Sequence, residues 1–291
     1  MTMQPLFLFN DILYHTQMSH YIMVKMCATI GIGDIVEVFI LASGSKGNMA
    51  YVKNEGISFF VDAGISYQKI ASKMKAYQEE ISDVKTLFLT HEHHDHIYGL
   101  KSLLKQGSIV EVFLTKGTYD ALASEVKQLL PQTTIIKADE PFRFNQFMVH
   151  PIMLSHDAKE PVGFIFEEYG KRFVVLTDTG YVDQSYIEIL KNADLYLLEA
   201  NHDPKKLLNS ARPFSLKQRI LGVLGHLSNE DAASLMNQLI TSDKKIWIVA
   251  HISEDCNDIY DIEKAIVDHF DDPNKVEVIY SSQNSLSGIK L

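Results

Sequence analysis

The chain is poor in cysteine, since its 291 residues include only Cys27 and Cys256. Two cysteines cannot build the disulfide framework of a small secreted domain, and neither belongs to a Cys-x-x-Cys pair. Long apolar runs are also missing, which excludes a membrane-spanning helix, and the short apolar segment at residues 5–9 has no basic residues before it, unlike a signal peptide. These absences predict a cytoplasmic protein without membrane contact.

Positive charge is scarce as well: 27 basic residues stand against 37 acidic ones, a formal net charge of -10. This balance argues against a surface coated with basic groups for non-specific nucleic-acid binding, but it leaves room for a local basic groove. One stretch, residues 205–219, is basic and lacks acidic residues; its cations are Lys205, Lys206, Arg212, Lys217 and Arg219. Such a basic strip could guide a phosphate backbone, and a solvated helix face is the alternative interpretation.

Residues 1–34 differ from the rest of the chain. They hold five of the ten methionines and show no period of 2 or 3.6 residues. We expect an N-terminal extension outside the functional domain, which would occupy residues 35–291.

From residue 35 onward, strand and helix patterns alternate. The predicted strands are 35–42, 50–53, 57–61, 85–90, 110–114, 134–136, 147–153, 164–167, 172–176, 195–198, 245–250 and 276–280. The predicted helices are 66–77, 117–130, 184–191, 229–240 and 258–269. Early hairpins with helices interleaved throughout favour one α/β domain, with two packed sheets and helices outside them.

The strongest chemical signal is the cluster His91-Glu92-His93-His94-Asp95-His96, directly after the buried strand predicted at 85–90. Two imidazoles two residues apart can meet one metal when the backbone between them is extended, and Asp95 and His96 then turn towards a second metal. Imidazole and carboxylate groups suit Zn, Mn or Fe. Glu92 and His94 are interpreted as spacers. The cluster therefore predicts a metal-dependent hydrolase.

Three lone residues, His156, Asp178 and His251, each follow another predicted strand. Strand ends are where α/β proteins collect the residues of a site. A hydrogen-bonded loop residue is the competing interpretation for any one of them. Their recurrence beside the histidine cluster favours further metal ligands.

Together these residues resemble the metallo-β-lactamase fold, an αββα sandwich of two mixed β-sheets flanked by helices, from about residue 35 to the end. The resemblance implies two divalent metal ions, Zn or Mn, with Fe as a further option. In its pattern the first ion is held by His91, His93 and His156. The second is held by Asp95, His96 and His251, while Asp178 bridges the two. Asp62 matches the early family aspartate that supports the histidine loop.

Five further segments resemble the YycJ family of Gram-positive bacteria, also called WalJ or VicX. They are residues 41–48 (Leu-Ala-Ser-Gly-Ser-Lys-Gly-Asn), 177–181 (Thr-Asp-Thr-Gly-Tyr), 199–203 (Glu-Ala-Asn-His-Asp), 225–229 (Gly-His-Leu-Ser-Asn) and 250–257 (Ala-His-Ile-Ser-Glu-Asp-Cys-Asn). That family is associated with 5′-to-3′ exonuclease action on DNA. The resemblance thus implies a dinuclear metal-dependent phosphodiesterase with DNA as its partner.

The implied mechanism gives two side chains catalytic roles. Asp95 would orient the water that both ions activate, and that water would attack phosphorus in line. His226 would reach the scissile phosphate or protonate the leaving oxygen, as a histidine in a similar loop does in related phosphodiesterases; a helix-capping histidine is the alternative. Substrate contacts are expected from Ser43, Ser45, Asn48, Lys205, Arg212, Lys217 and Arg219. For the loop at residues 43–48, a tight connection between two strands is an equally compatible interpretation.

Three alternative functions remain open. The chain could hydrolyse small cyclic or short phosphodiesters, or a thioester, as glyoxalase-type enzymes do. It could also be a non-catalytic regulatory partner of the cell-wall two-component system beside which this family is encoded. A purely structural zinc site is closed and mononuclear, which counts against the regulatory role. The sequence predicts neither the native metal nor the oligomeric state.

Overall fold

A computed structural model describes residues 36–54, 56–283 and 287–291 of the chain. The predicted extension at residues 1–34 lies outside these described residues. The strands are β1 Glu37–Ala42, β2 Met49–Asn54, β3 Ile57–Val61, β4 Thr86–Phe88, β5 Glu111–Thr115, β6 Gln132–Ile136, β7 Phe142–Phe144, β8 Phe147–Met153, β9 Val162–Glu168, β10 Lys171–Leu176, β11 Leu195–Glu199, β12 Lys245–Ala250, β13 Val276–Tyr280 and β14 Ser287–Lys290. The α-helices are α1 Tyr67–Ala76, α2 His94–Ile97, α3 Leu100–Leu104, α4 Lys116–Ala121, α5 Ser124–Lys127, α6 Ile187–Leu190, α7 Pro204–Asn209, α8 Phe214–Leu221, α9 Asn229–Leu239 and α10 Ile259–His269.

The strands form two mixed sheets. The first has the order β14-β1-β2-β3-β4-β5-β6, and the second has the order β13-β12-β11-β10-β9-β8-β7. In the first sheet β14, β1, β2 and β3 pair antiparallel, and β3 to β6 pair parallel. In the second, β10 to β13 pair parallel and β7 to β10 pair antiparallel. Both sheets therefore have a parallel half, whose strands end at a common edge.

Phenylalanine rings fill the space between the two sheets. Phe59 of β3 packs on Phe166 of β9 with ring centroids 4.8 Å apart, and Phe88 of β4 packs on Phe164 at 5.6 Å. All four rings are fully buried, which removes their large apolar surfaces from water.

Helices cover the outer face of each sheet. On the first sheet, α1 and α3 contribute buried side chains to a second apolar cluster. On the second sheet, α9 and α10 contribute buried side chains to a third, separate apolar cluster. The result is the αββα sandwich that the sequence predicts, so the expected fold is confirmed.

The short elements differ from the sequence expectation. The helix predicted at 117–130 is two helices, α4 and α5, because the backbone is extended at Leu122 and Ala123, where Leu122 is buried. Strands β7 and β14 and helices α2 and α3 are not predicted, and α7 and α8 are anticipated only by the alternative interpretation of the basic strip as a helix face. Apolar periodicity needs a window of roughly eleven or more residues to be recognised, and none of these elements is that long.

Among the described residues, every helix is too short or too polar to cross a lipid bilayer.

Two loops cross at a glycine next to the histidine cluster. Gly64 N donates to Asn48 O at 2.9 Å, and Asn48 N donates to Asp95 O at 2.7 Å. A Cβ atom on Gly64 would lie 1.8 Å from Asp95 O and 2.5 Å from Asn48 N. No side chain fits there, so the glycine fixes how closely the Asp95 loop approaches β2.

Replacing Gly64 by alanine is expected to cost at least about 3 kcal/mol of unfolding free energy, since backbone must move to admit the methyl group. The matched control is Gly107→Ala. Gly107 has φ 75°, but a methyl group added there would meet no atom within 4 Å, so its change should cost only about 1 kcal/mol of backbone strain. Urea unfolding of both variants measures the difference. Equal stability of the two variants would contradict the steric argument.

Candidate metal centre

The candidate ligands lie where strands of the two sheets end. The histidine cluster follows β4, His156 follows β8, Asp178 follows β10, and His251 follows β12. Asp178 and His251 adopt left-handed backbone, with φ 59° and 50°, a conformation that costs non-glycine residues about 1–3 kcal/mol. Because the backbone turns sharply directly after each strand, the two side chains approach each other, with Asp178 Oδ1 3.4 Å from His251 Nε2.

Three groups of donor atoms form among the described residues. Two of them contain only predicted ligands and are called the two donor groups below. The third repeats Asp178 and His251 and adds Glu199 and His226. Donor atoms of His91, His93 and His156 all lie within 4.8 Å of one another. The same limit holds for the second group, which is Asp95, His96, Asp178 and His251. All seven residues predicted as ligands are thus brought together. Asp178, which the fold resemblance assigns to both ions, belongs to the second group.

Asp178 lies between the two groups. Its Oδ2 is 3.5 Å from His91 Nε2 in the first group and 2.8 Å from His96 Nε2 in the second. Its Oδ1 is 3.4 Å from His251 Nε2. The side chain is only 2% exposed. Imidazole rings of both donor groups therefore provide the polar surroundings of this carboxylate in place of water.

Unpaired buried atoms indicate that these groups are suited to divalent cations. His91 Nε2 and Asp178 Oδ1 have no hydrogen-bond partner among the described residues, although both are buried. Leaving buried polar atoms unpaired is costly, and metal ligation would satisfy both. Imidazole and carboxylate are also the donor types that Zn, Mn and Fe accept.

The protonation states fit the same interpretation. Burial, with His96 nearby, holds the pKa of His91 well below its ordinary value, so this ring is neutral. Burial alone would raise the pKa of Asp178, but His251 and His96 hold it well below its usual range, so the carboxyl is ionised. Burial also opposes a charge on His96, yet Asp178 and Asp62 raise its pKa well above the ordinary value. A cation that binds His96 therefore displaces a proton.

A buried hydrogen-bond network holds the histidine loop in place. Asp62, at φ 61°, accepts from His96 Nδ1 at 2.7 Å and from the Thr90 backbone N at 2.9 Å. Thr90 Oγ1 contacts His91 Nδ1 at 3.0 Å. The Nδ1 atoms of both histidines are thereby engaged, which leaves their Nε2 atoms for a metal.

His226 and Glu199 form a pair beside the second group. Glu199 is fully buried at the end of β11, and its Oε2 lies 3.0 Å from His226 Nδ1. Burial opposes a charge on His226, but the Glu199 carboxylate outweighs it and raises the pKa of His226 to about 9. His226 is therefore a protonated ring at neutral pH, 3.9 Å from Asp178 Oδ1.

A cavity of about 210 Å³ opens on the ligands. Besides ligands and His226, it is lined by Ser45, Asp157, Asn201, Arg212, Gly225 and Ser253, and by Leu216, Arg219 and Ile220 of α8. The last three have helical i, i+3, i+4 spacing, so one face of α8 forms a wall of the cavity. The basic strip thus reaches the candidate metal centre through Arg212 and Arg219.

The other predicted substrate contacts lie elsewhere. Ser43 and Asn48 are buried; Ser43 Oγ accepts from His251 N at 2.8 Å, and Asn48 Nδ2 donates to Asp95 Oδ2 at 3.1 Å. Lys217 donates to two backbone carbonyls, and Lys205 is exposed on α7. Neither lysine lines the cavity. Ser43 and Asn48 hold ligands, whereas Lys205 faces solvent and the ammonium group of Lys217 is bound to the backbone.

Glu92 and His94 take no part in the donor groups found among the described residues. Glu92 Oε1 accepts from Lys159 N at 2.8 Å, and the His94 ring lies 5.0 Å from that of Tyr98.

Sequence reasoning gives no role to Glu199. The sequence does contain a signal, because Glu199 directly follows the strand predicted at 195–198. The search that finds His156, Asp178 and His251 considers only histidine and aspartate at strand ends, and Glu199 is a glutamate, which the structure makes the last residue of β11 itself.

Comparison with known proteins agrees with this geometry. Residues 58–252 match the family described as the beta-lactamase superfamily domain. The chain is 36% identical over 219 residues to exodeoxyribonuclease YycJ of Bacillus anthracis, covering 75% of this chain and 83% of the relative. It is 37% identical over 221 residues to exodeoxyribonuclease WalJ of Streptococcus pneumoniae, covering 75% and 82%.

Solved structures share the fold. The metallo-beta-lactamase fold protein YhfI of Bacillus subtilis superposes with a TM-score of 0.66 at 17% identity, over 88% of this chain and all of YhfI. Fold, donor groups and sequence identity agree, and the chain belongs to the beta-lactamase superfamily and, within it, to the family of the YycJ and WalJ proteins.

Proposed function

We propose that this chain is a dinuclear metal-dependent phosphodiesterase that degrades DNA from its 5′ end. The observation that carries the proposal is the Asp178 carboxylate, which faces a donor atom of each group. The arginine-lined cavity beside it supports an anionic substrate. The relatives named exodeoxyribonucleases, which match over more than four fifths of their length, support DNA as that substrate.

Two divalent ions would be held by the two donor groups. His91, His93 and His156 would hold one ion. Asp95, His96 and His251 would hold the other, with Asp178 shared. Zn and Mn suit these donors, and Fe is a further option. When bound, such ions polarise a phosphoryl oxygen and lower the pKa of water towards neutrality.

Asp95 is the residue that we propose orients the attacking water. Its Oδ2 lies 3.3 Å from His251 Nε2 and 3.1 Å from Asn48 Nδ2, so the carboxylate is held from two sides. Burial would raise the pKa of Asp95, but the hydrogen bond with His251 helps to keep it below the ordinary value. An ionised carboxylate that lines the cavity can accept a hydrogen bond from water and aim it at phosphorus.

His226 is the proposed proton donor to the leaving oxygen. Glu199 engages Nδ1, which leaves Nε2 of this cavity-lining ring for the substrate. Arg212, Arg219 and Ser45 are proposed to bind phosphoryl oxygens in the cavity. Lys205 and Lys217 lie outside it and would act on the backbone of a longer strand through their charge.

Digestion of end-labelled DNA is the direct test. We expect a strand labelled at its 5′ end to release label as mononucleotide from the first minutes, whereas a 3′ label stays on progressively shorter strands. Mn²⁺ and Zn²⁺ are supplied in turn. Asp95→Ala and His93→Ala should both abolish hydrolysis, because each removes a group of the metal centre, and circular dichroism should show an intact fold.

Other outcomes would identify another function. Activity retained by either variant contradicts the proposed centre. Hydrolysis of cyclic or dinucleotide phosphodiesters but of no longer DNA would favour the small-substrate alternative. Cleavage of a glutathione thioester would favour the glyoxalase-type reaction, and a metal-loaded protein inert on every substrate would favour the regulatory role.

The role of His226 can be separated from that of the metals. His226→Ala should lower kcat on DNA about 10²–10⁴-fold, the usual contribution of a general acid. On bis(p-nitrophenyl) phosphate the loss should be much smaller, because p-nitrophenolate leaves without being protonated. Metal content should stay at the wild-type value.

His269→Ala is the matched control, since His269 lies on α10 and bonds to the Ala265 carbonyl. Its kcat should match wild type on both substrates. Equal losses of His226→Ala on DNA and on the nitrophenyl ester would exclude proton donation by this residue.

A further inference from the structure

Three large apolar side chains are exposed beside the cavity: Tyr181 at 45%, Val223 at 68% and Leu224 at 51%. They lie on two backbone segments in direct contact, because a Cβ atom on Gly180 would be 2.5 Å from Gly222 O and 2.6 Å from Val223 O. We call these three side chains the rim. Exposed apolar groups gathered at one place on a surface commonly mark a binding site.

The rim is continuous with the candidate metal centre. Gly225 and His226, which follow Leu224 directly, line the cavity. Gly225 O lies 3.1 Å from His156 Nδ1, and Ser155 Oγ donates to Val223 O at 2.8 Å. A ligand that leaves the cavity on this side meets the rim next.

The segment that carries Val223 and Leu224 favours an anionic partner, although Asp183 is exposed two residues after Tyr181 and Asp157, paired with Arg219, lines the cavity. Residues 204–229, which include two of the three rim residues, contain no acidic residue, although the whole chain has a net charge of -10. Arg219, in the same stretch, lines the cavity. A nucleotide combines the two properties that such a surface needs, because its phosphate is anionic and its base has a flat apolar face.

We propose that the rim is a stacking platform for the base of a nucleotide next to the scissile phosphate, with the Tyr181 ring as its main contact. This inference rests on the proposed function. A base inside a duplex is already paired and stacked, so the platform accepts a terminal base only after it has separated from its partner. The rim therefore favours ends that fray or are already single-stranded.

Tyr181→Ala tests the platform, with Tyr169→Ala as the matched control. Tyr169 is 64% exposed and precedes β10, whereas Tyr181 follows the opposite, ligand-bearing end of that strand. The affinity for a fluorescein-labelled single-stranded ten-nucleotide DNA is measured by anisotropy in EDTA, where no hydrolysis occurs. We expect Tyr181→Ala to weaken binding about tenfold, the usual effect of one lost base stack. Tyr169→Ala should bind like wild type.

A second strand, with tetrahydrofuran in place of the bases at its terminal positions, separates stacking from a structural effect. Wild type should bind this abasic strand about tenfold more weakly than the intact one, and Tyr181→Ala should bind both strands equally. Unchanged affinity of Tyr181→Ala for the intact strand would overturn the proposal. An equal loss on both strands would do the same.

Sedimentation velocity addresses the rival occupant, a second copy of the chain. A wild-type dimer that Tyr181→Ala dissociates would overturn the platform. Failure of the proposed function gives a different result: the binding data would follow the stacking pattern, but wild type supplied with metal would release no nucleotide. Release of nucleotides together with unchanged binding by Tyr181→Ala would remove the platform alone.

Discussion

The buried contact of Asp178 with histidines of both donor groups is the constraint on which the rest of the site depends. An ionised carboxylate at 2% exposure is unfavourable unless positive charge compensates it. His96, whose pKa is raised well above its ordinary value, supplies part of that charge, and divalent cations would supply more. The left-handed backbone at Asp178 and His251 is strain that the surrounding sheet ends hold in place.

The second feature that shapes the chemistry is the segment that contains α7 and α8. It brings two cations, Arg212 and Arg219, to the cavity of a negatively charged protein. Its charges are not equally available: Lys206 is paired with Asp258 and Asp261, whereas Arg212 and Arg219 line the cavity. Arg219 also pairs with Asp157, so a phosphate there competes with a carboxylate already in place. Discrimination between substrates can arise from that competition.

Much of this could be predicted from the sequence, because buried strands and the residues directly after them leave clear local patterns. The sandwich fold and the grouping of donor residues at strand ends follow from those patterns. Contacts between distant segments leave no such pattern. Ser43 and Asn48 look like a phosphate loop in sequence, yet Ser43 accepts a hydrogen bond from the His251 backbone, and Asn48 bonds to Asp95 where the loops cross at Gly64.

The number of metal ions bound per chain tests the central claim most directly. After gel filtration of protein loaded with Mn²⁺ or Zn²⁺, inductively coupled plasma mass spectrometry should find two ions per wild-type chain. Asp178→Asn, which keeps the side-chain shape but removes the shared charge, should retain fewer than two. Asp120→Asn, a change at an exposed ion pair on α4, should retain two. A single ion in wild type, or two in Asp178→Asn, would contradict the account.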